Sequence, residues 1–352
     1  MRIAQVAPLF ESVPPKYYGG TERVVSYLTE ELVRQGHDVT LFASGDSVTQ
    51  ARLVAATRRA LRLDKHCADQ LAPQMLMLER VVRAASSFDV IHFHVDYLHF
   101  PYSRRHTTAH LTTLHGRLDL PELVPLYREF RDMPVVSISA AQRDPLPFAH
   151  WMGTVYHGLP QHLYRFRAES GEYLAFIGRV APEKRVDRAI AIAKRVGLPL
   201  KIAAKVDAVD REYFESVIEP LLDDPLVEYI GEIGEGEKQE LLGEARVLLF
   251  PIDWPEPFGL VMIEAMACGT PVIALRRGSV PEIVEHGRTG FVVGDLDEAV
   301  AAAERIDELS RQRCREVFEE RFTAARMAHD YLELYAWLLE TGGRRAAAAD
   351  GR

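Results

Sequence analysis

Cysteine is scarce in this sequence, with three among 352 residues, and long hydrophobic runs are missing altogether. Cys67, Cys268 and Cys314 are widely spaced, which excludes a disulfide framework and a cysteine-based zinc site. No apolar run reaches the ~18 residues that a membrane-spanning helix requires. The apolar start "RIAQVAP" is too short for a signal peptide and is typical of a first strand. Together these absences predict a cytoplasmic protein.

The sequence also lacks the positive charge that nucleic-acid binding requires. The net charge is −9, and residues 1–165 carry 18 Lys and Arg against 16 Asp and Glu. An excess of two positive charges is too small for a nucleic-acid interface, so no nucleic-acid partner is expected. Residues 46–75 contain five basic residues: Arg52, Arg58, Arg59, Arg62 and Lys65. These residues either guide an anionic or membrane-borne ligand or form a solvated helix face.

Strand patterns alternate with helix patterns in both halves of the chain. The first half contains "RIAQVAP", "DVTLFAS" and "DVIHFHV", and the second contains "YLAFIGRV", "LPLKIAAKV" and "ARVLLFPI". Helical spacing lies between them, which predicts an α/β fold of two Rossmann-like domains with doubly wound parallel sheets. We expect domains at 1–160 and 165–322, an amphipathic helix at 323–341 and a disordered tail at 342–352.

The stretch "PEPFGLVMIEAM" combines an apolar helix pattern with two glutamates, Glu256 and Glu264. A helix that is apolar on every face is usually buried. A carboxylate inside such a helix is costly unless a cation or a hydroxyl-rich ligand pairs with it. Phe258, Gly259 and Leu260 stand at the start of the helix, where free backbone amides can bind an anion.

Two further strand ends carry candidate anion-binding groups. In "FIGRVAPEK", Arg179 and Lys184 follow a strand and suit a diphosphate, although solvated surface charge is the alternative. In "YYGGTERVV", Gly19 and Gly20 open a helix whose amides can receive an anion. The alternative there is a flexible turn with Thr21 as the N-cap.

Histidines cluster in the first half of the chain. His115 follows the strand pattern "LTTLHG", where a histidine can bind a sugar hydroxyl, carry a proton or be structural. His92, His94 and His99 have a spacing that permits a metal site, but they lack a supporting set of carboxylates. No metal is therefore expected.

Taken together, these motifs resemble glycosyltransferase family 4, a group of retaining enzymes with the GT-B fold, in which two Rossmann-like domains face across a cleft. The resemblance covers nearly the whole chain and includes "GTPVIALRRGSVPEIVEHGRTGFVV". It implies that Arg179 and Lys184 hold the donor diphosphate and stabilise the leaving group. It further implies that Glu264 binds the ribose and Glu256 the donor sugar hydroxyls. His115 matches the histidine near the C6 hydroxyl and the reacting face.

The same resemblance assigns backbone groups and the final helix. The implied donor-binding positions are Phe258, Gly259 and Leu260 beside the sugar, Gly19 and Gly20 near the phosphates and acceptor, and Gly231 and Ile233 at the base. The final helix is expected to return to the first domain. His157 in "VYHGLP" departs from the family pattern, which often has asparagine before the glycine, so its role stays open.

The expected activity is the transfer of a hexose, with UDP-glucose as the first candidate donor, to a hydroxyl acceptor in polysaccharide or glycoconjugate synthesis. The expected partners are a nucleotide sugar and an acceptor of open identity, with contact to the inner membrane face as an open alternative. No cofactor is expected, and Asp295 and Asp297, the tight D-x-D, are interpreted as a helix N-cap cluster. The alternatives are a sugar-nucleotide epimerase or hydrolase and an inactive sugar-nucleotide-binding protein. A dinucleotide-dependent oxidoreductase is disfavoured because no G-x-G-x-x-G follows a strand.

Overall fold

The computed structural model describes residues 1–16 and 19–349, with side chains as far as residue 341. The chain divides into two compact units. Unit 1 comprises Met1–Gly158 together with Ala324–Arg352, and unit 2 comprises Leu159–Thr323. The division falls after Gly158, whereas the sequence led us to expect the first domain to end at 160 and the second to begin at 165.

Unit 1 is built on a parallel sheet, in which β1 pairs with both β2 and β4. The order across the sheet is β3-β2-β1-β4-β5-β6-β7, so the direction of winding reverses between β1 and β4. In open α/β sheets, ligands bind at the carboxyl ends of the strands beside such a switch point. The strands are β1 (Arg2–Val6), β2 (Asp38–Ser44), β3 (Arg52–Thr57), β4 (Val90–Phe93), β5 (Ala109–Thr113), β6 (Pro134–Ser137) and β7 (His150–Thr154).

Amphipathic helices cover this sheet. They are α1 (Gly20–Arg34), α2 (Leu71–Ala84), α3 (Phe100–Ser103), α4 (Leu123–Glu129) and the C-terminal helix (Ala324–Ala349). The C-terminal helix places Tyr331 and Tyr335 in the core of unit 1, whereas Trp337 on the same helix is half exposed. Two of these three aromatic residues are therefore core residues.

Unit 2 repeats the architecture with the strand order β10-β9-β8-β11-β12-β13, and its switch point lies between β8 and β11. Its strands are β8 (Tyr173–Arg179), β9 (Leu200–Lys205), β10 (Val227–Tyr229), β11 (Ala245–Phe250), β12 (Val272–Leu275) and β13 (Gly290–Val293). Its helices are α5 (Val186–Val196), α6 (Arg211–Tyr213), α7 (Glu235–Glu244), α8 (Leu260–Cys268), α9 (Val280–Ile283), α10 (Leu296–Glu304) and α11 (Arg311–Arg321). The two parallel sheets confirm the predicted fold class.

Some local predictions differ from the structure. The basic segment 46–75 contains strand β3 and a 3₁₀ turn at Leu61–Leu63, so the helix-face interpretation was wrong. The C-terminal helix continues to Ala349, beyond the predicted end at 341 and into the segment expected to be disordered. Residues 350–352 of that predicted tail lie outside the described residues. The N-cap reading of Asp295 is confirmed, because its carboxylate accepts a hydrogen bond from the Glu298 amide.

Across the part of the chain that the structure describes, every helix is too short or too polar to cross a bilayer.

Candidate active site

The carboxyl edge of the unit 2 sheet gathers most of the predicted donor-binding residues. Arg179 is the last residue of β8, and Lys184 lies on the 3₁₀ turn Pro182–Lys184 that follows it. Glu256 lies in the loop after β11, the neighbouring strand across the switch point. Local sequence alone fixes each strand end, but the parallel pairing of β8 with β11 brings the two loops together.

Lys184 and Glu256 form an ion pair at the centre of this edge. The Lys184 ammonium donates to Oε2 of Glu256 at 2.5 Å, and both side chains are largely buried, with 17% and 11% of their surfaces exposed. The indole Nε1 of Trp254 donates to the same oxygen at 2.9 Å. The Trp254 ring also lies 4.8 Å from the ammonium nitrogen. Oε1 of Glu256 makes no hydrogen bond to any described residue, so it is available to a hydroxyl donor.

Arg179 lies among acidic residues. Its Nη2 donates to Glu183 at 2.7 Å, and Asp210 and Asp207 lie 3.5 Å and 3.8 Å from the guanidinium. Burial raises the pKa of Asp210, and the Arg179 guanidinium opposes that shift. A guanidinium held between carboxylates is fixed in orientation before any anion reaches it.

Helix α8 begins at Leu260, directly after Gly259, which adopts a left-handed φ of 79°. This positive φ favours glycine, and a Cβ at Gly259 would also lie 3.1 Å from the Phe250 ring. Phe258 is buried, and its carbonyl accepts a hydrogen bond from the Ser279 hydroxyl. The first amides of α8 therefore start from a fixed turn at the sheet edge, as an anion site requires.

Glu264 lies in α8 and is 4% exposed. Its Oε1 accepts a hydrogen bond from the Lys238 ammonium of α7 at 2.9 Å. The Glu235 carboxylate lies 3.5 Å from the same nitrogen and also accepts a hydrogen bond from Tyr164. Oε2 of Glu264 has no hydrogen-bond partner among the described residues. Lys238 thus satisfies one oxygen of the buried carboxylate, and the other oxygen remains available to a ligand.

The predicted base-binding backbone lies in the loop between β10 and α7. Gly231 adopts a left-handed φ of 88°, and Ile233 packs against Ala203, Leu241 and other members of a small apolar cluster. Unit 2 therefore brings the loop of Gly231, the start of α8, Lys184 and Glu264 to the carboxyl ends of one parallel sheet.

In unit 1, Gly19 is the N-cap of α1 and Gly20 is its first residue. The alternative with Thr21 as N-cap is therefore wrong. Tyr17 and Tyr18 of the same motif lie outside the described residues.

His115 follows β5 and contacts two other histidines. Its Nε2 lies 2.8 Å from Nδ1 of His94, and its ring stacks on His157 with centroids 5.3 Å apart. Burial lowers the pKa of His115 to about 3 and lowers those of His94 and His157 well below their usual value. All three rings are therefore neutral near pH 7. The ring of His157 is a packing partner of His115, which gives this departure from the family pattern a structural role.

The three histidines considered for a metal site are instead bonded to protein groups. His99 contacts the hydroxyls of Ser103 and Thr112, and His92 contacts those of Tyr335 and Thr113. Within the described residues, no group of three or more histidine, cysteine or acidic side chains is placed to hold a metal ion.

Sequence reasoning missed several residues at these edges. Lys238 bonds Glu264 from an ordinary polar helix sequence, and Trp254 bonds Glu256 from the loop "PIDWPEP", only two positions away. Gln5 was detectable as a lone amide within the apolar strand "RIAQVAP". Asp96 follows β4 and adopts a left-handed φ of 50°, which is rare outside glycine. No local sequence pattern predicts that left-handed conformation.

Comparison with known protein families matches both halves of the chain. A family model described as Glycosyltransferase Family 4 matches residues 18–196, about half of the sequence. A second, described as Glycosyl transferases group 1, matches residues 165–325 and thus contains the whole Arg179 to Glu264 region.

Individual proteins are also similar to this chain. N-acetyl-alpha-D-glucosaminyl L-malate synthase of Bacillus anthracis is 30% identical over 52% of this chain and 52% of its own length. Alpha-maltose-1-phosphate synthase of Mycolicibacterium smegmatis is 31% identical over 46% of this chain and 47% of its own length. This chain thus spans about half the length of these curated relatives. The crystal structure of AviGT4, a glycosyltransferase involved in avilamycin A biosynthesis, superimposes with a TM-score of 0.74 and 25% identity, covering 97% of this chain and 98% of that one.

Proposed function

This chain belongs to glycosyltransferase family 4, and we propose that it transfers a hexose from a nucleotide diphosphate sugar to a hydroxyl acceptor with retention of anomeric configuration. Glucose from UDP-glucose is the first candidate for the transferred sugar. Polysaccharide or glycoconjugate synthesis is the proposed biological context. The names of two relatives describe joining a sugar to L-malate and forming a sugar phosphate.

The proposed diphosphate site consists of Arg179, Lys184 and the start of α8. Lys184 carries three N–H donors, and its bond to Glu256 uses one of them. The remaining donors, the Arg179 guanidinium and the first amides of α8 are of the type that binds phosphate oxygens. These fixed charges stabilise the negative charge that develops on the leaving diphosphate by about 3 kcal/mol. Because side chains supply this charge, we propose that transfer needs no metal.

The two glutamates bind the hydroxyl-bearing ends of the donor in this proposal. Glu264 accepts hydrogen bonds from the two ribose hydroxyls, for which its Oε2 has no competing protein partner among the described residues. Glu256 accepts from hydroxyls of the donor sugar through Oε1, while Lys184 and Trp254 hold Oε2. Each carboxylate is therefore oriented by one oxygen and binds ligand with the other.

The proposed reaction proceeds on one face of the sugar. The bond between the anomeric carbon and the diphosphate oxygen breaks, and the acceptor oxygen bonds to the same face. A diphosphate oxygen takes the proton of the acceptor hydroxyl. We favour this route over double displacement because Glu256 and Glu183, the carboxylates bonded to the proposed diphosphate-binding side chains, are already held in ion pairs with Lys184 and Arg179.

The observation that carries the proposal is the Lys184–Glu256 pair at the switch point of the unit 2 sheet. Calorimetric titration of the protein with UDP, GDP and ADP, with and without magnesium, tests it. We expect one nucleotide to bind tightly and equally well under both conditions. Absence of binding by all three would contradict the proposed donor site, and binding that requires magnesium would contradict the metal-free mechanism.

A lysine substitution separates the site from general charge effects. Lys184→Met should weaken nucleotide diphosphate binding by roughly 10-fold, because a charge-assisted hydrogen bond contributes about 1.5 kcal/mol or more. Lys194→Met, which removes a lysine of α5 paired with Asp224 on the surface, is the matched control and should bind as the wild type does. Equal losses in both variants would show that the overall charge of unit 2, and not this site, determines affinity.

A further inference from the structure

A chain of hydrogen bonds runs through the core of unit 1 from His115 to the C-terminal helix. The carbonyl Oε1 of Gln5 lies 2.8 Å from Nε2 of His94, whose Nδ1 lies 2.8 Å from Nε2 of His115. On its other side, Nε2 of Gln5 donates to the hydroxyl of Tyr335 at 3.2 Å. We call the path Gln5–His94–His115 the histidine relay. Gln5 is fully buried in β1, and His94 is 2% exposed.

The direction of each hydrogen bond in the relay follows from Gln5. A carbonyl oxygen accepts only, so Nε2 of His94 must carry the proton that it donates. Burial keeps the pKa of His94 well below its usual value, so the ring is neutral and its Nδ1 is a bare acceptor. Nε2 of His115 must then donate to that acceptor, which leaves the proton of His115 on Nε2.

The remaining nitrogen of His115 is consequently an acceptor. Its Nδ1 is buried and has no hydrogen-bond partner among the described residues. Burial lowers the pKa of His115 to about 3, so this nitrogen is unprotonated near pH 7. An orphaned buried acceptor is costly unless a ligand satisfies it. A hydroxyl of the substrate is the group that matches, because it can donate to a bare ring nitrogen.

The backbone around His115 is fixed separately. The amide Nε2 of Gln142 donates to the carbonyl oxygens of Leu114 at 2.9 Å and Gly116 at 2.8 Å, on either side of His115. The backbone position of His115 therefore depends on Gln142 and its tautomer on Gln5, so a substitution can perturb one without the other.

We propose that Gln5 is a positioning residue for the transferase reaction, acting through His94 to hold His115 in the Nε2–H tautomer, with Nδ1 free to accept a hydrogen bond from a substrate hydroxyl. This inference rests on the proposed function for the identity of the hydroxyl. The tautomer itself is a property of the protein alone. The relay differs from the backbone contacts of Gln142 because it determines where a proton lies.

Heteronuclear NMR of the full chain labelled with ¹⁵N-histidine tests the proposal near pH 7. The His115 resonances are assigned as those missing from the His115→Asn spectrum. We expect Nε2 to resonate as an N–H nitrogen and Nδ1 as a bare nitrogen. The reverse pattern in the wild-type protein would overturn the proposal without any variant at Gln5.

Gln5→Met removes the carbonyl and keeps the side-chain length. We expect the single tautomer of His115 to be replaced by a mixture, whereas Gln74→Met should retain it. Gln74 is a buried glutamine of α2 that forms no hydrogen bond to the relay within the described residues, so it controls for the loss of a buried amide. Retention of the Nε2–H tautomer in Gln5→Met would overturn the proposal.

A kinetic measurement connects the tautomer to the reaction. With UDP-glucose as the donor and UDP release as the readout, Gln5→Met should lower kcat/KM on the order of 10- to 100-fold, as expected when a catalytic imidazole loses its orienting partner. An unchanged kcat/KM in Gln5→Met, beside an altered tautomer, would overturn the positioning role. If the wild type releases no UDP while the NMR result holds, the tautomer assignment stands, and UDP-glucose with the acceptor supplied is not the substrate pair.

Discussion

The ion pair between Glu264 and Lys238 makes it possible to separate the structural role of this glutamate from its proposed role in ribose binding. Glu264→Leu alone removes both roles, and it leaves the Lys238 ammonium largely buried, with the Glu235 carboxylate 3.5 Å away. The double variant Glu264→Leu/Lys238→Met removes the pair as a unit and fills the space with apolar atoms.

The two variants should differ strongly in stability. Breaking a buried pair by removing one partner costs about 3–5 kcal/mol, and Glu235 offsets part of this, so we expect about 3 kcal/mol for Glu264→Leu. For a domain of this size each kcal/mol lowers Tm by about 2–4 °C, which gives a fall of roughly 6–12 °C. Replacing both partners is often neutral, so the double variant should unfold within about 1 kcal/mol of the wild type.

Nucleotide affinity should not follow stability. Two ribose hydroxyls bonded to a carboxylate contribute about 1.5 kcal/mol or more each, so losing both weakens binding by about 3 kcal/mol, on the order of 100-fold in Kd. We expect this loss in the single and the double variant alike. Differential scanning calorimetry measures the first quantity, and isothermal titration with the preferred nucleotide diphosphate measures the second.

The double variant decides the question. If it is stable and binds the nucleotide as tightly as the wild type, Glu264 serves only to pair with Lys238, and the ribose assignment is refuted. If it is as unstable as Glu264→Leu, the reasoning about an uncompensated lysine charge is wrong.

Three further predictions concern other parts of the chain. Gly278→Ala places Cβ 2.4 Å from the Glu256 carbonyl oxygen, whereas the Cβ of Gly287→Ala, also at positive φ, meets nothing within 4 Å. In titrations, donor affinity should fall in Gly278→Ala and persist in Gly287→Ala. Backbone strain in Gly287→Ala costs about 1–2 kcal/mol of stability. Arg311→Met removes the guanidinium donor from two buried carbonyls and one partly buried carbonyl, and it should cost about 3 kcal/mol in urea unfolding without changing nucleotide affinity. The pKa of His115 is about 3 in the folded protein and about 6.5 in the unfolded chain, so its contribution to stability is fully present above pH 6.5. That contribution falls on acidification, by about 2 kcal/mol at pH 5. Tm should therefore drop between pH 7 and pH 5, and His115→Phe should reduce that drop.

The strand–helix alternation was readable because it depends on local patterns. Buried parallel strands appear as short apolar runs, and "RIAQVAP" and "YLAFIGRV" indicated β1 and β8 within a few residues. Strand β3 was missed because Arg52 and the basic residues that follow the strand suggested a solvated face. The strand also lies at the edge of the sheet, where one side has no neighbouring strand. Packing at an edge demands less apolar character, so the local signal is weak.

The candidate donor site was partly readable for the same reason. Arg179, Lys184 and the start of α8 each follow a recognisable strand end, and the glutamates stand out against an apolar helix. Their partners were not readable, because Lys238 reaches Glu264 from 26 positions away in the chain. The tight contact of Lys184 with Glu256 depends on two strands that pair across the switch point.

The sequence by itself determined the fold class and the loops that form the candidate site, since hydrophobic period and strand-end position are local properties. Tertiary structure alone decided which oxygen of each glutamate is already bonded and which nitrogen of His115 holds a proton. Gln5 is 110 residues from His115 in the chain, and the parallel sheet together with His94 brings them into one hydrogen-bonded path. Proton position depends on such nonlocal contacts, because a neutral imidazole adopts the tautomer that its hydrogen-bond partners require.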